Sequence, residues 1–145
     1  MKILLAVDGS ECSDMAVREV CERPWPAGSA VKVISIAESP LLSTETWPFP
    51  ADYYSAIEKS GQDQAHAAID KAVTQLRSAH GGALEVATRI TEGHVQGAIL
   101  DEADAWDADL IVLGSHGYRG IKRFLLGSVS HAVASHANCS VEIVR

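Results

Sequence analysis

Short apolar runs alternate with stretches of helical spacing along this 145-residue chain. Residues 2–7 form an apolar run that ends in the turn signal Asp8-Gly9-Ser10, which predicts a first strand. Residues 13–22 then carry apolar side chains at helical spacing, with Ser10 or Ser13 available as a helix cap. Residues 30–36 are rich in β-branched side chains and predict the second strand.

A proline-rich stretch separates this half of the chain from the next. Residues 38–51 include three prolines and no periodicity, so we predict a loop there. Residues 52–78 have the apolar spacing of a long helix, which Gly81-Gly82 ends. Residues 84–90 alternate between apolar and polar side chains, so they predict a strand with one wetter face, and we expect Thr91-Glu92-Gly93 to follow it.

The remaining pattern completes an α/β chain. Residues 95–106 predict a helix, and residues 110–113 are wholly apolar, as in a central parallel strand covered on both faces. Helical spacing resumes after residue 128. Strands that alternate with helices predict an open, doubly wound parallel sheet of five strands with about four helices. We expect one domain over residues 1–145.

Charge and hydropathy narrow the classes of function. The formal net charge is −7, and the one local basic cluster is Arg119, Lys122 and Arg123, so we do not expect nucleic acid as a partner. The longest apolar runs are too short to cross a bilayer, and Asp8 interrupts the first of them too early for a signal peptide, so we expect no membrane partner.

Cysteine and histidine positions give no sign of a metal site. The three cysteines, Cys12, Cys21 and Cys139, match no metal spacing, and we expect reduced thiols in a cytoplasmic protein. His131 and His136 are five residues apart, which does not place two ligands on one helical face. We therefore assign no metal-ligating residue.

The segment from residue 114 to residue 128 carries the candidate chemistry. Gly114 and Gly117 let backbone N–H groups approach a ligand closely, and Gly127-Ser128 stands where the last helix begins. A helix N-terminus offers unpaired N–H groups to a phosphate, and Ser128 could cap this helix or donate its hydroxyl. The chain lacks both the P-loop motif and the dinucleotide fingerprint, so this loop is a different kind of phosphate site.

The spacing Gly114-x2-Gly117-x9-Gly127-Ser128 is similar to the G-x2-G-x9-G-[S/T] signature of the ATP-binding branch of universal stress proteins. The first strand with its Asp-Gly-Ser turn and the ending from Cys139 onward also resemble that family, and the likeness is weakest over residues 38–78. Two departures are Ser140, where the family often has proline after the cysteine, and Ala6, which is often proline in relatives.

The resemblance implies an adenine nucleotide alpha hydrolase-like fold with strand order 3-2-1-4-5, and ATP or another adenine nucleotide as ligand. It implies that Asp8 contacts the adenosine, that Ile36 lines the adenine pocket, and that residues 113–119 wrap the ribose and phosphates. The residues it assigns to the ligand are Ala6, Val7, Asp8, Ile36, Leu113, Gly114, Ser115, His116, Gly117, Tyr118, Arg119, Gly127, Ser128 and Val129.

The family likeness also implies Mg²⁺ or Mn²⁺ beside the phosphates and a homodimer formed through the last strand, residues 141–144. We expect a nucleotide-dependent regulatory module with a protein partner that the sequence does not identify. The strand-order rule agrees with this site, because ligands of open α/β sheets bind at the carboxyl ends of strands where the order reverses.

Several alternatives stay open at this stage. Asp8 could simply cap its turn, and the three cations could form a solvated edge rather than contact phosphate. His116 has no evident partner, and we assign no catalytic residue. Slow ATP hydrolysis or autophosphorylation, with Ser115 or Ser128 as an exposed hydroxyl, is one alternative function. A dimeric interaction protein without nucleotide binding is the other.

Overall fold

The computed structural model describes residues 1–37, 51–117 and 126–145, with the backbone alone for residues 51–54. Strands and helices alternate through these ranges: β1 (Lys2–Ala6), α1 (Glu11–Glu22), β2 (Ala30–Ala37), α2 (Ala51–His80), β3 (Glu85–Glu92), α3 (Val95–Ala105), β4 (Leu110–Gly114), α4 (Ser128–His136) and β5 (Ser140–Val144). The strands form one five-stranded sheet in the order β3-β2-β1-β4-β5. Each neighbouring pair is parallel, which confirms the predicted fold.

The sheet is covered on both faces. Side chains of β1 alternate between two cores: Ile3 and Leu5 pack towards α1 and α2, while Leu4 and Ala6 pack towards α3 and α4. Ile111 and Val112 of β4 divide between the two cores in the same way. The wholly apolar run predicted for residues 110–113 is therefore required here, because the side chains of residues 110–113, like those of residues 3–6, are removed from water.

Helix boundaries follow their caps. Ser10 is the N-cap of α1, with its Oγ accepting from the backbone N–H of Ser13 at 3.3 Å, so the helix begins two residues earlier than predicted. Gly81, at φ +60, donates its N–H to the carbonyl of Arg77 and ends α2 as predicted. The predicted loop over residues 38–51 lies outside the described residues except for Ala51, which begins α2.

Two predictions about β3 need correction. Thr91 and Glu92 were expected after the strand, but they pair within it, opposite Ile36 and Ala37 of β2. The strand continues because its parallel partner does, and Gly93, at φ 129, then turns the chain. Glu85 rather than Leu84 begins the strand, although Leu84 is buried as expected. Tertiary pairing therefore set both ends of β3.

Two general findings concern the described residues. None of their helices combines the length and the apolarity that a bilayer span requires. Cys12, Cys21 and Cys139 are all free thiols of intermediate burial.

Candidate functional site

The ends of β1 and β4 lie side by side at the carboxyl edge of the sheet. Ala6 pairs with Leu113, so the residues that follow each strand emerge together. The strand order reverses at this point, with β2 on one side of β1 and β4 on the other. Asp8 and the segment Ser115-His116-Gly117 meet there, as the switch-point rule requires.

Asp8 is held by three neighbouring segments. Its Oδ1 accepts from the backbone N–H of Ser10 at 2.9 Å, and its own N–H donates to Oγ of Ser13 at 3.2 Å. Its carbonyl accepts from Nε2 of Gln64 on α2 at 3.3 Å. Asp8 therefore does cap its turn, and the second carboxylate oxygen, Oδ2, is directed at Gly117. The turn-capping and ligand-contacting interpretations are compatible, because they use different oxygens.

Two glycines of the signature are required by close approach. A Cβ at Gly117 would lie 2.7 Å from Oδ2 of Asp8. A Cβ at Gly114 would lie 2.6 Å from the backbone carbonyl carbon of Cys12 in the first turn of α1. Neither place has room for a side chain, so the spacing of these glycines follows from how tightly β4 and its loop pass α1 and its turn.

Ser115 links the loop to α4 and β5. Its N–H donates to the carbonyl of Val144 at 2.8 Å. Its own carbonyl accepts from the N–H of Gly127 and from Oγ of Ser130, both at 2.9 Å. Oγ of the buried Ser130 also reaches the carbonyl of Gly127 at 3.0 Å. The two ends of the loop are thus fastened together although residues 118–125 lie outside the described part.

The N-terminus of α4 points at this edge. Gly127 is the N-cap and Ser128 is the first helical residue, so of the two roles considered for Ser128 the structure excludes capping. The first N–H groups of α4 have no carbonyl of their own helix to bond. The first turn of α4 contains no acidic residue, whereas that of α1 contains Glu11 and Asp14. Of these two helix ends, α4 is the one whose charge favours an anion.

His116 has a partner that the sequence did not reveal. Nδ1 of its ring lies 3.1 Å from Oγ of Ser115, and its carbonyl accepts from Oγ of Ser10 at 3.4 Å. Ser115 is 1% exposed, so the expectation of an exposed hydroxyl there is wrong. Ser128 is exposed, as expected. The Ser115 hydroxyl also lies 3.7 Å from the Cys12 thiol, so it contacts both that thiol and the His116 imidazole.

The other predicted residues divide into two groups. Ala6, Val7 and Leu113 are buried in the strand ends, and Ile36 and Val129 are half-buried against the core on the α3 and α4 face. They can shape the walls of a pocket but supply no polar side-chain group. Tyr118 and Arg119, like Lys122 and Arg123, lie outside the described residues.

Three residues contribute to this site although the sequence did not assign them to it: Ser13, Gln64 and Ser130. Each holds a backbone group of Asp8, Ser115 or Gly127. The bonds of Gln64 and Ser130 join distant segments, whereas Ser13 lies only five residues from Asp8. Ser130, which is 2% exposed, could have been suspected from its place one turn after Gly127. Gln64 carries no sequence signal, since nothing local ties it to Asp8.

The protein oxygens that the structure describes at this edge are too few to bind a hard cation alone, so a bound phosphate would have to supply further oxygen ligands. The described residues include no group of three or more His, Cys, Asp or Glu side chains that could hold a metal ion. Mg²⁺ is commonly bound by one or two protein oxygens plus substrate phosphates, and Asp8 and Ser128 supply oxygens of that kind. A groove of about 400 Å³ between β3 and α3, lined in part by Arg89, Asp101 and Glu102, shares no residue with this edge.

Comparison with known proteins gives a consistent family. A family model described as the universal stress protein family matches residues 1–145. Universal stress protein Sll1388 of Synechocystis sp. is 32% identical over 154 residues, which cover 99% of this chain and 97% of the relative.

Solved structures agree with the fold. UspA of Lactobacillus plantarum superposes with a TM-score of 0.80 at 23% identity, covering 100% of this chain and 97% of that one. A universal stress protein in complex with cAMP superposes with a TM-score of 0.68 at 25% identity, covering 100% and 97%. The Archaeoglobus fulgidus protein in complex with dAMP gives 0.70 at 24% identity, covering 100% and 98%.

Proposed function

Because this chain belongs to the universal stress protein family, we propose that the edge between β1 and β4 binds an adenine nucleotide, with ATP as the expected ligand. The observation that carries the proposal is the convergence of the Asp8 carboxylate and the N-terminus of α4 on one loop. Relatives of the same fold are complexes with cAMP and dAMP, which supports the nucleotide class.

The two ends of the site divide the work. Oδ2 of Asp8 accepts from a ribose hydroxyl, while Ile36 with Ala6 forms the apolar wall for the base and the Val7 side chain packs in the core on the other face of the sheet. The N–H groups of Ser128 and Val129 donate to the phosphates, and the positive end of the α4 dipole stabilises their charge. Mg²⁺ or Mn²⁺, where bound, neutralises the same phosphates.

Isothermal titration tests this proposal directly. ATP, AMP and dAMP are titrated into the purified protein, and at least one is expected to bind with a Kd of about a micromolar or below. Gly117→Val and Gly127→Val abolish binding, because a Cβ at these positions meets Asp8 Oδ2 at 2.7 Å and the Ser115 carbonyl oxygen at 3.0 Å. Gly82→Val is the control, since a Cβ there meets nothing within 4 Å. If no adenine nucleotide gives a heat of binding, the proposal is wrong.

We further propose that the protein is a homodimer that pairs through β5 and regulates a partner protein according to its nucleotide. In the described part of the chain β5 pairs with β4 alone, and Val141, Ile143 and Val144 on it are half-buried. An edge strand rich in apolar residues favours pairing with another strand. Sedimentation of the purified protein as a monomer at a concentration of about 100 μM would contradict this.

A second function has one observation in its favour. Ser128 is exposed at the first position of α4, where a phosphate bound to that helix end would lie beside its hydroxyl. Self-phosphorylation would transfer the γ-phosphoryl group to this oxygen, with loss of the hydroxyl proton and release of ADP. Incubation with ATP labelled at the γ-phosphate tests it: retained label that disappears in Ser128→Ala supports it, and absence of label from the wild type refutes it.

A further inference from the structure

Arg23 and Glu142 form the most complete ion pair in the described residues. Nη1 of Arg23 donates to Oε2 of Glu142 and Nη2 donates to Oε1, both at 2.7 Å. Nη2 also donates to Oε1 of Glu19, one turn earlier on α1, at 2.7 Å. The guanidinium lies 5.3 Å from the ring centroid of Trp25. Four contacts with three side chains therefore hold the guanidinium in place, and both carboxylate oxygens of Glu142 are occupied.

Glu142 is the one charged residue of β5. It is the middle residue of β5, between Val141 and Ile143, on the strand whose outer edge has no partner strand among the described residues. A charged side chain on an edge strand ordinarily prevents edge-to-edge pairing. Here that charge is covered by Arg23, and the Glu142 side chain is 28% exposed.

The geometry of self-pairing fixes what lies opposite Glu142. A two-fold axis perpendicular to the sheet pairs β5 with a second β5 antiparallel and keeps each face on its own side. Side chains opposite each other must then share a face, because successive residues alternate. The register with the greatest overlap of Ser140–Val144 is centred on residue 142. It sets Val141 opposite Ile143 twice, and Glu142 opposite its own copy.

Two like charges at the centre of such a register oppose pairing, since directly opposite residues have Cβ atoms only about 4.5–5.5 Å apart. The same register is favourable in its apolar part, where Val141 and Ile143 both belong to the core on the α3 and α4 face. Whether β5 pairs with itself therefore depends on whether the charge on Glu142 is compensated.

We propose that Arg23 makes β5 competent to pair with β5 of a second copy of this chain, by neutralising the Glu142 that the symmetric register places opposite itself. The inference rests on the proposed homodimer and adds the residue on which it depends. A second copy is the occupant because the apolar pairs of this register are self-complementary and because the one charge that would repel a copy is already covered within each protomer.

Sedimentation velocity over a range of concentrations tests the proposal with four proteins. The wild type is a dimer. Arg23→Ala raises the dimer Kd by about tenfold or more, because Glu142 is left uncompensated at the contact. Arg23→Ala with Glu142→Gln returns the Kd to within about threefold of the wild type, since no carboxylate then lies opposite its own copy. Arg18→Ala, which removes one exposed cation from the same helix, leaves the Kd unchanged.

The outcomes separate this inference from the homodimer itself. A monomeric wild type refutes both. A dimeric wild type with an unchanged Kd in Arg23→Ala refutes the role of Arg23 and keeps the dimer. Failure of the Glu142→Gln change to restore pairing also refutes it, because Arg23 would then act through the fold. Thermal melting of each variant shows whether the monomer is intact.

A cross-link tests the register independently. In a Cys139→Ser background, Glu142→Cys places a thiol on the two-fold axis, where the spacing of opposite Cα atoms suits a disulfide. Oxidation is expected to give a covalent dimer on a non-reducing gel. The control is Glu85→Cys on β3, at the other edge of the sheet, which is expected to stay monomeric on the gel. Cross-linking at residue 85 but not at residue 142 overturns the proposed register.

Discussion

Gly117 lies directly against the carboxylate of Asp8: a Cβ at residue 117 would stand 2.7 Å from Oδ2. That oxygen is also the one left over after Oδ1 accepts from Ser10. The segment after β4 therefore crosses the turn after β1 at van der Waals distance, and residues more than a hundred positions apart form one surface. The adenosine end of the proposed site depends on this crossing.

The mildest substitution at this crossing has a defined effect. Gly117→Ala forces Asp8 or the loop to move, so we expect the affinity for the best adenine nucleotide to fall by about tenfold in isothermal titration. Because Gly117 is exposed, we expect the fold to be unchanged and the free energy of unfolding to change by less than about 0.5 kcal/mol. Gly97→Ala on α3, where a Cβ meets nothing within 4 Å, leaves the affinity as it is. Wild-type affinity in Gly117→Ala would contradict the proposed role of Asp8.

Gly114 makes the opposite prediction, a loss of stability. The atoms that a Cβ would meet, at 2.6 and 2.7 Å, belong to the backbone of Cys12, which cannot move aside as a side chain can. We expect Gly114→Ala to lower the free energy of unfolding in urea by about 1–3 kcal/mol. Gly82→Ala, in open space after α2, serves as its control and should unfold within about 0.5 kcal/mol of the wild type. Equal stability of the two variants would show that α1 yields to the methyl group.

Ser130 and Ser135 form a matched pair on α4. Oγ of Ser130 bonds the carbonyls of Ser115 and Gly127 in the interior, whereas Oγ of exposed Ser135 bonds the carbonyl of His131 one turn back. Ser130→Ala is expected to lower the free energy of unfolding by about 1 kcal/mol, and Ser135→Ala by less than about 0.5 kcal/mol. A larger loss at Ser135 would mean that the loop does not depend on Ser130.

Ser10 serves both as a helix cap and as a contact to the loop, and two substitutions separate these roles. Ser10→Ala removes the hydrogen bond from the Ser13 N–H and the one to the His116 carbonyl. We therefore expect the free energy of unfolding to fall by about 0.5–2 kcal/mol. Ser10→Asp restores a capping oxygen but cannot donate to His116 when ionised. Its stability should therefore return towards the wild type, while its nucleotide affinity should lie below that of the wild type, because the contact to the His116 carbonyl is still missing. Recovery of both would assign Ser10 to capping alone.

The thiols of Cys21 and Cys139 give a prediction about pH. Burial raises the pKa of both, with further contributions from Glu22 for Cys21 and from Asp104 and Asp109 for Cys139. A raised pKa means that folding favours the protonated thiol. This contribution to stability is complete below the unfolded pKa of about 9 and is lost as the pH rises through the higher folded value.

Alkylation by iodoacetamide, followed by mass spectrometry of peptides, measures this effect. Native Cys139 should react with a pH midpoint above 9.0, and the same residue in urea with a midpoint near that value. Coincident midpoints in the two states would show that burial leaves the thiol unperturbed.

How far the sequence sufficed can be judged residue by residue. The apolar run at residues 110–113 predicted a central strand, because all four of its side chains are buried, and the β-branched run at residues 30–36 predicted the strand that became β2. The glycine spacing predicted close approach at Gly114 and Gly117, since a missing Cβ is visible in a sequence. Both are local signals with a local cause.

Other features were out of reach because their causes are distant. The continuation of β3 through Thr91 and Glu92 depends on β2, and the burial of Ser115 depends on β5 and α4. The bond from Gln64 to Asp8 depends on how α2 crosses the sheet. None of these partners is near in sequence, so periodicity and turn chemistry carry no trace of them.

The bond from the Ser115 N–H to the Val144 carbonyl joins the last residue of the edge strand to the loop of the proposed site. Any ligand that shifts this loop therefore pulls on β5, and any strand that docks on β5 stiffens the loop. Thermodynamic reciprocity then requires the two effects to be equal. If a bound nucleotide changes the association constant of two chains by some factor, association changes the affinity for the nucleotide by the same factor. This one backbone hydrogen bond would couple nucleotide binding to association, and a single coupling free energy would describe both effects.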